Sequence, residues 1–99
     1  MEIRDNTVKF KSNYYFYDLE KRGVKPNTLR ILDRYDVLKV EEWRNKIFEE
    51  NRDEYIEIFS TPKDGRFRRR LTWCGKIEEL FGKEIWMFCW KPEQINMKG

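Results

Sequence analysis

The order of apolar and turn-forming residues along this chain predicts one small α+β domain, a mixed β-barrel or curved sheet with two flanking helices. Three observations carry the prediction. The segments read in the order β-α-β-α-β-β-(α)-β, with the three longest strands in the C-terminal half. A chain of 99 residues has room for a single core and buries only about 60–65% of the surface its unfolded form exposes. Its 4 Trp, 5 Tyr and 7 Phe are the material for that core. Charged residues reach 39%, yet the two signs nearly cancel at +3, which argues against a disordered chain.

The elements follow in order. Val8-Lys9-Phe10 ends a first strand, and Ser12 or Asn13 can cap a helix, because a short side-chain oxygen accepts the free N–H groups of the first turn. Tyr15, Phe16 and Leu19 fall at helical spacing, Lys21 and Arg22 suit the negative end of the helix dipole, and Gly23 can take the left-handed conformation that stops the helix. Pro26 disfavours helix at Lys25, so the chain turns extended, and residues 28–32 read as a strand. A second helix is expected from about Val37 to Glu50, capped by Asp36, with Val40, Trp43 and Ile47 on one face and Phe48 beside them. Residues 55–60 are the clearest strand. The loop 61–65 makes a hairpin, and the return strand sets Phe67, Leu71 and Trp73 against Arg66, Arg68, Arg70 and Thr72, with Arg69 on the apolar side. A short helical turn from Lys76 to Phe81 closes at Gly82. The last strand, 84–90, is apolar on both faces and therefore central. Residues 1–91 form the domain, and 92–99 read as a polar tail.

Composition also excludes chemistry. The chain has no histidine, so Ser-His and Cys-His nucleophilic pairs and the common zinc sites are ruled out. Cys74 and Cys89 cannot make a disulfide framework and read as packing residues of a reduced chain. No cofactor or metal is expected. No apolar run approaches the roughly 18–20 residues of a membrane span, and the first five residues have no signal-peptide character. A cytoplasmic protein with no membrane partner is expected.

The most informative segment is Lys25-Pro26-Asn27-Thr28-Leu29-Arg30. Polar side chains sit there where a helix ends and a strand begins. The two-residue period of a strand puts Thr28 and Arg30 on one face, with Lys25 entering from the loop. A cation, a hydroxyl and a planar guanidinium that converge would suit a phosphate, a carboxylate or a base edge. Spacing alone equally allows Lys25 and Arg30 to be solvated charges and Thr28 an ordinary strand residue.

The pattern Gly23-x-Lys25-x-x-Thr28-x-Arg30, after a strand and a helix, resembles the signature of ASCH domains, the small PUA-like β-barrels. The resemblance covers roughly residues 7 to 33 and is looser over 55–73 and 84–90. Uncharacterised bacteriophage and Firmicute proteins with a Lys-Pro-Asn-Thr-x-Arg core look similar. It implies a cleft that binds RNA, a nucleotide or a modified nucleoside, lined by Lys25, Asn27, Thr28 and Arg30. In one bacterial branch it implies an amidohydrolase acting on acylated cytidine, in which Lys25 and Thr28 would be catalytic, Arg30 would support the anion or carbonyl, and a glutamate would complete the site. Glu78 and Glu79 are the candidates for that glutamate by location. The charged helix around Trp43 replaces the Gly-Asp turn usual after the arginine.

A second feature is the row Arg66, Arg68 and Arg70, extended by Lys63, which would contact a phosphate backbone. Such a row can equally be a solvated face that blocks edge-to-edge aggregation or pairs with Glu57. Arg69, on the apolar side, needs a carboxylate or a ligand. The Trp residues read as core, and Tyr14 and Tyr17, off the apolar stripe, are the aromatics available for base stacking. The expected partner is RNA or a nucleoside. The alternative from a different class is a phage-encoded protein that blocks a host defence complex by direct contact with a host protein.

Overall fold

A computed structural model describes residues 1–61 and 65–92. The Lys63 and 93–99 assignments lie outside the described residues. The chain opens with β1 (Glu2–Arg4) and β2 (Thr7–Lys11), an antiparallel hairpin whose turn holds Asp5 at φ 52°. Helix α1 (Tyr14–Lys21) follows, and the Asn13 side chain caps it by accepting from the Phe16 N–H at 3.0 Å. Gly23, at φ 80°, stops it as the sequence requires. A side chain at this position would also press on Pro92, 3.0 Å from an added Cβ.

Strand β3 (Asn27–Leu32) leads into α2 (Arg34–Glu49). The helix begins three residues earlier than expected, because Asp33, not Asp36, is the cap: its carboxylate accepts from the Asp36 N–H at 2.8 Å. Asp36 instead sits in the first turn, where a negative charge suits the dipole. Asn51, at φ 54°, closes the other end, with its own N–H and that of Arg52 returning to the Phe48 and Ile47 carbonyls.

Strands β4 (Tyr55–Ser60), β5 (Gly65–Leu80) and β6 (Lys83–Trp90) complete a six-stranded sheet in the order β1-β2-β4-β5-β6-β3. The β2–β4 pair is parallel and all other pairs are antiparallel. The chain is thus α+β, a mixed sheet with two helices, and β6 is an interior strand as its two apolar faces require.

The expected helical turn at 76–81 is strand instead. Lys76, Glu78 and Leu80 pair with Trp86, Ile85 and Lys83 of β6, and this cross-strand pairing overrides the helical preference of Lys-Ile-Glu-Glu-Leu. Phe81 and Gly82, at φ 51° and 77°, form the two-residue hairpin turn that matches strand twist. A register shift between Leu71 and Trp73 inverts the alternation beyond it. Cys74 therefore takes the inward position, and Trp73, expected in the core, is 47% exposed. Burial pushes the Cys74 thiol up to about 11.

The sheet is strongly curled. The Arg30 guanidinium of β3 donates to the Lys11 carbonyl at the end of β2, at 2.7 Å. Four strand-to-strand steps separate these strands in the sheet order. In a flat sheet they would stand about 19 Å apart, beyond the reach of any arginine. The enclosed core joins Val8, Phe10, Ile56, Ile58, Phe67, Trp86, Phe88 and Trp90, with Phe10 and Phe88 ring centroids 4.8 Å apart. Helix α2 adds Val40, Trp43 and Ile47, and the Trp43 indole N–H donates to the Asp5 carbonyl in the β1–β2 turn. Phe48, placed beside that stripe by spacing, is 85% exposed.

Helix α1 is rotated relative to expectation. Tyr17 and Glu20 are buried, whereas Tyr15 and Phe16 are 69% and 45% exposed. Tyr17 is therefore a core residue rather than a free stacking surface. Its ring packs on Phe67 and its hydroxyl lies over Gly65, 2.6 Å from the position of an added Cβ. Gly65→Ala is expected to destabilise the fold by about 1–3 kcal/mol, the cost of overpacking, seen as a lower urea midpoint. Tyr17→Phe in the same chain should recover part of that loss by removing the colliding hydroxyl.

Candidate functional site

Three short segments meet at one end of the curled sheet: the β2–α1 junction, the C-terminal turn of α1 and the start of β3. Gly23 turns the chain so that the Lys25 N–H returns to the Leu19 carbonyl, and this loop aims the Lys25 side chain back at its own helix. There Lys25 Nζ donates to Glu20 Oε2 at 3.0 Å and to the Asn27 carbonyl at 2.8 Å. Glu20 is 1% exposed. Its other oxygen accepts from the Ser12 hydroxyl at 3.0 Å.

Ser12 links this pair to the strand residues. Its Oγ accepts from Arg30 Nη2 at 2.7 Å while its proton goes to Glu20. Arg30 Nε donates to Thr28 Oγ1 at 3.1 Å, and Nη1 to the Lys11 carbonyl. The guanidinium also lies over the Phe10 ring, 4.8 Å from its centroid. Burial pulls the Arg30 pKa down, and the Glu20 carboxylate opposes that shift. Thr28, Arg30, Ser12, Glu20 and Lys25 thus form one continuous hydrogen-bonded chain with two cations and one anion.

These groups line a cleft of about 530 Å³ together with Lys11, Asn13, Phe16, Asn27 and Leu29. Lys25, Asn27, Thr28 and Arg30 are therefore brought to one place. Their capacities differ. Arg30 commits three of its five N–H donors to Thr28, Ser12 and the Lys11 carbonyl, so its first role is to hold the cleft together. Lys25 keeps one of its three protons uncommitted, and Thr28 keeps its hydroxyl proton. The Asn27 side-chain amide makes no hydrogen bond among the described residues and can both donate and accept. Phe16 offers a half-exposed ring beside the Lys25 ammonium, 5.7 Å from its centroid. The cleft can receive a group that carries an anion or a carbonyl next to a flat apolar face.

The carboxylate of this site is Glu20, not Glu78 or Glu79. Those two are exposed near the far hairpin, where Glu79 pairs with Lys76 at 2.7 Å. Glu79 is opposite Glu84 and Asn27 opposite Cys89, so five residues of β6, about 17 Å of strand, separate the hairpin from the cleft. Sequence reasoning missed Glu20 because a charged residue near a helix end reads as solvated. The available signal was that Glu20 falls three residues after Tyr17, on one face of α1.

The arginine row divides. Arg68 stacks on the Tyr55 ring at 3.7 Å and donates to Thr7 and Asn6. Arg70 lies 3.4 Å from Asp53. Arg69, placed on the apolar side, donates to the Arg68 carbonyl and to the Lys21 carbonyl at the end of α1, so backbone oxygens satisfy it in part. Arg66 is exposed. Among the described residues no group of three or more Cys, Asp or Glu side chains could hold a metal ion.

No protein-family model, curated protein or solved structure matches this chain.

Glu20→Ala should cost about 3–5 kcal/mol, the usual effect of breaking a buried ion pair, because it leaves Ser12 without its acceptor and Lys25 with the Asn27 carbonyl but no counter-charge. Glu20→Gln should cost less, since its amide oxygen still accepts. Chemical denaturation of both variants would show this ranking. Equal losses would mean that Glu20 contributes only packing.

Proposed function

We propose that this chain is an ASCH-like, PUA-like domain of the cytoplasm that binds RNA, a nucleotide or a modified nucleoside in the cleft at Lys25. One observation carries the reading: Lys25, Asn27, Thr28 and Arg30 line the same cleft, organised around the buried carboxylate of Glu20. The polar groups that remain uncommitted suit such a ligand. Asn27 can pair with a base edge, the Lys25 ammonium can meet a phosphate or a carbonyl, and Phe16 can stack under a ring. The six-stranded mixed sheet with two helices is compatible with the small barrel that the Gly23-to-Arg30 pattern implies.

The decisive variant is Lys25→Gln. An alanine at 25 would strand a buried carboxylate and confuse folding with binding, whereas glutamine keeps a donor for Glu20 and removes the positive charge. Titration calorimetry with a panel of nucleosides, nucleotides and short single-stranded RNAs should show binding by the parent. Lys25→Gln should weaken it at least tenfold at a temperature where the variant is still folded, its thermal midpoint lowered less than that of Lys25→Ala. No binding to any member of the panel would overturn the reading.

One observation favours a second reading, hydrolysis of an acylated nucleoside: a carboxylate stands 3.0 Å from the Lys25 amine. The reaction would add water across the acyl C–N bond, releasing a carboxylic acid and the free exocyclic amine. Chromatography of an acylated cytidine incubated with the protein tests it, and turnover no faster than in buffer leaves binding alone.

A further inference from the structure

The outer face of the sheet carries a row of cation, aromatic ring and cation that leads away from the cleft. Lys11 ends β2, Phe59 is its partner in β4, and Arg66 is the partner of Phe59 in β5. Paired residues project to the same side of a sheet with strands about 4.8 Å apart, so the three form one transverse row about 10 Å across. Lys11 and Arg66 are exposed and Phe59 is half-buried.

The rows behind it are different in character. In the next, Lys9 lies 3.3 Å from Glu57, while Arg68 is held by Tyr55, Thr7 and Asn6. In the third, Arg70 lies near Asp53. Among the described residues neither Lys11 nor Arg66 enters an ion pair. Lys11 also lines the cleft, and its carbonyl is where Arg30 closes the sheet. The row is therefore the cleft's direct continuation onto the outer surface, and its two exposed cations face no carboxylate among the described residues.

We infer that a strand of RNA leaves the cleft along Lys11, Phe59 and Arg66. The nucleotide beyond the one held at Lys25 sets its phosphate on Lys11 and its base on Phe59, and the following phosphate meets Arg66. Charge complementarity selects this occupant, since alternating cations and an aromatic face match alternating phosphates and bases. The inference rests on the nucleoside-binding reading and sharpens it: the ligand is one position in a chain, not a free nucleoside.

The test compares a random-sequence RNA hexanucleotide pool with the four ribonucleoside monophosphates, using the full chain and the Phe59→Leu and Arg66→Ala variants. The parent should bind the hexanucleotides at least tenfold more tightly than any monophosphate. Arg66→Ala should remove much of that advantage and make the salt dependence of log K shallower by about 0.7, the share of one phosphate contact on a single strand. Phe59→Leu should weaken hexanucleotide binding severalfold with the salt slope unchanged. Both variants should bind monophosphates as the parent does. Monophosphate binding without any hexanucleotide advantage overturns the track while leaving the cleft intact. An advantage that survives both substitutions overturns it too, by routing the strand elsewhere. Absence of binding to either probe removes the cleft reading together with the track.

Discussion

The clasp made by Arg30 is the contact on which the rest of the structure depends. One guanidinium ties β3 to the end of β2, orients Thr28 within its own strand and holds the Ser12 hydroxyl. The guanidinium holds its donors in one rigid plane on three separate nitrogens, so it serves three spaced acceptors without bending its own geometry. The ring of Phe10 beneath it gives the cation an electron-rich face where water is scarce. Because the clasp spans strands far apart in the sheet order, it belongs both to the curvature of the domain and to the cleft. The fold and the candidate site are thus stabilised by the same bonds.

Glu20 is the complementary constraint. A carboxylate that is almost wholly removed from water is costly unless both its oxygens are satisfied. Here Ser12 and Lys25 satisfy them. Apolar residues in place of the whole pair, Glu20 and Lys25 together, would meet the same packing requirement with less electrostatic cost, so stability alone does not account for the charge. What the carboxylate adds is position. It holds the Lys25 ammonium at one point of the cleft wall and fixes the direction of the Ser12 hydroxyl, which in turn receives Arg30. Two cations are kept apart by an anion placed between them, and the cleft retains a net positive character.

Much of the local structure was legible from residue chemistry. Gly23 as a helix stop, Asn13 as one of two caps and Pro26 as the start of an extended segment all follow from backbone rules that act over a few residues. The stripe Val40, Trp43 and Ile47 was readable because three residues agreed on one face. The misreadings share a cause. Residues 76–81 have the composition of a helix and became strand because β6 offered partners for their backbone groups. Trp73 was assigned to the core by alternation and was turned outward by a bulge that has no signal in a single sequence. Tyr17 and Phe16 exchanged places because the rotation of a short helix is set by what it packs against, here Phe67 and Gly65.

The candidate site shows the same division. By itself the sequence determined that Thr28 and Arg30 share one face of a strand that begins just after a helix stop and a proline, with Lys25 in the loop before them. It also determined that no histidine-based chemistry is available. Only the tertiary structure decided which carboxylate joins them, that Arg30 is a clasp before it is a ligand contact, and that Lys11 rather than Arg68 or Arg70 continues the cleft. Those outcomes depend on the curling of the sheet, which brings Arg30 of β3 to the Lys11 carbonyl of β2, and on the strand pairing that aligns Lys11, Phe59 and Arg66. Backbone rules act along the chain, whereas the pairing of distant strands selects among many local patterns that a sequence would equally allow.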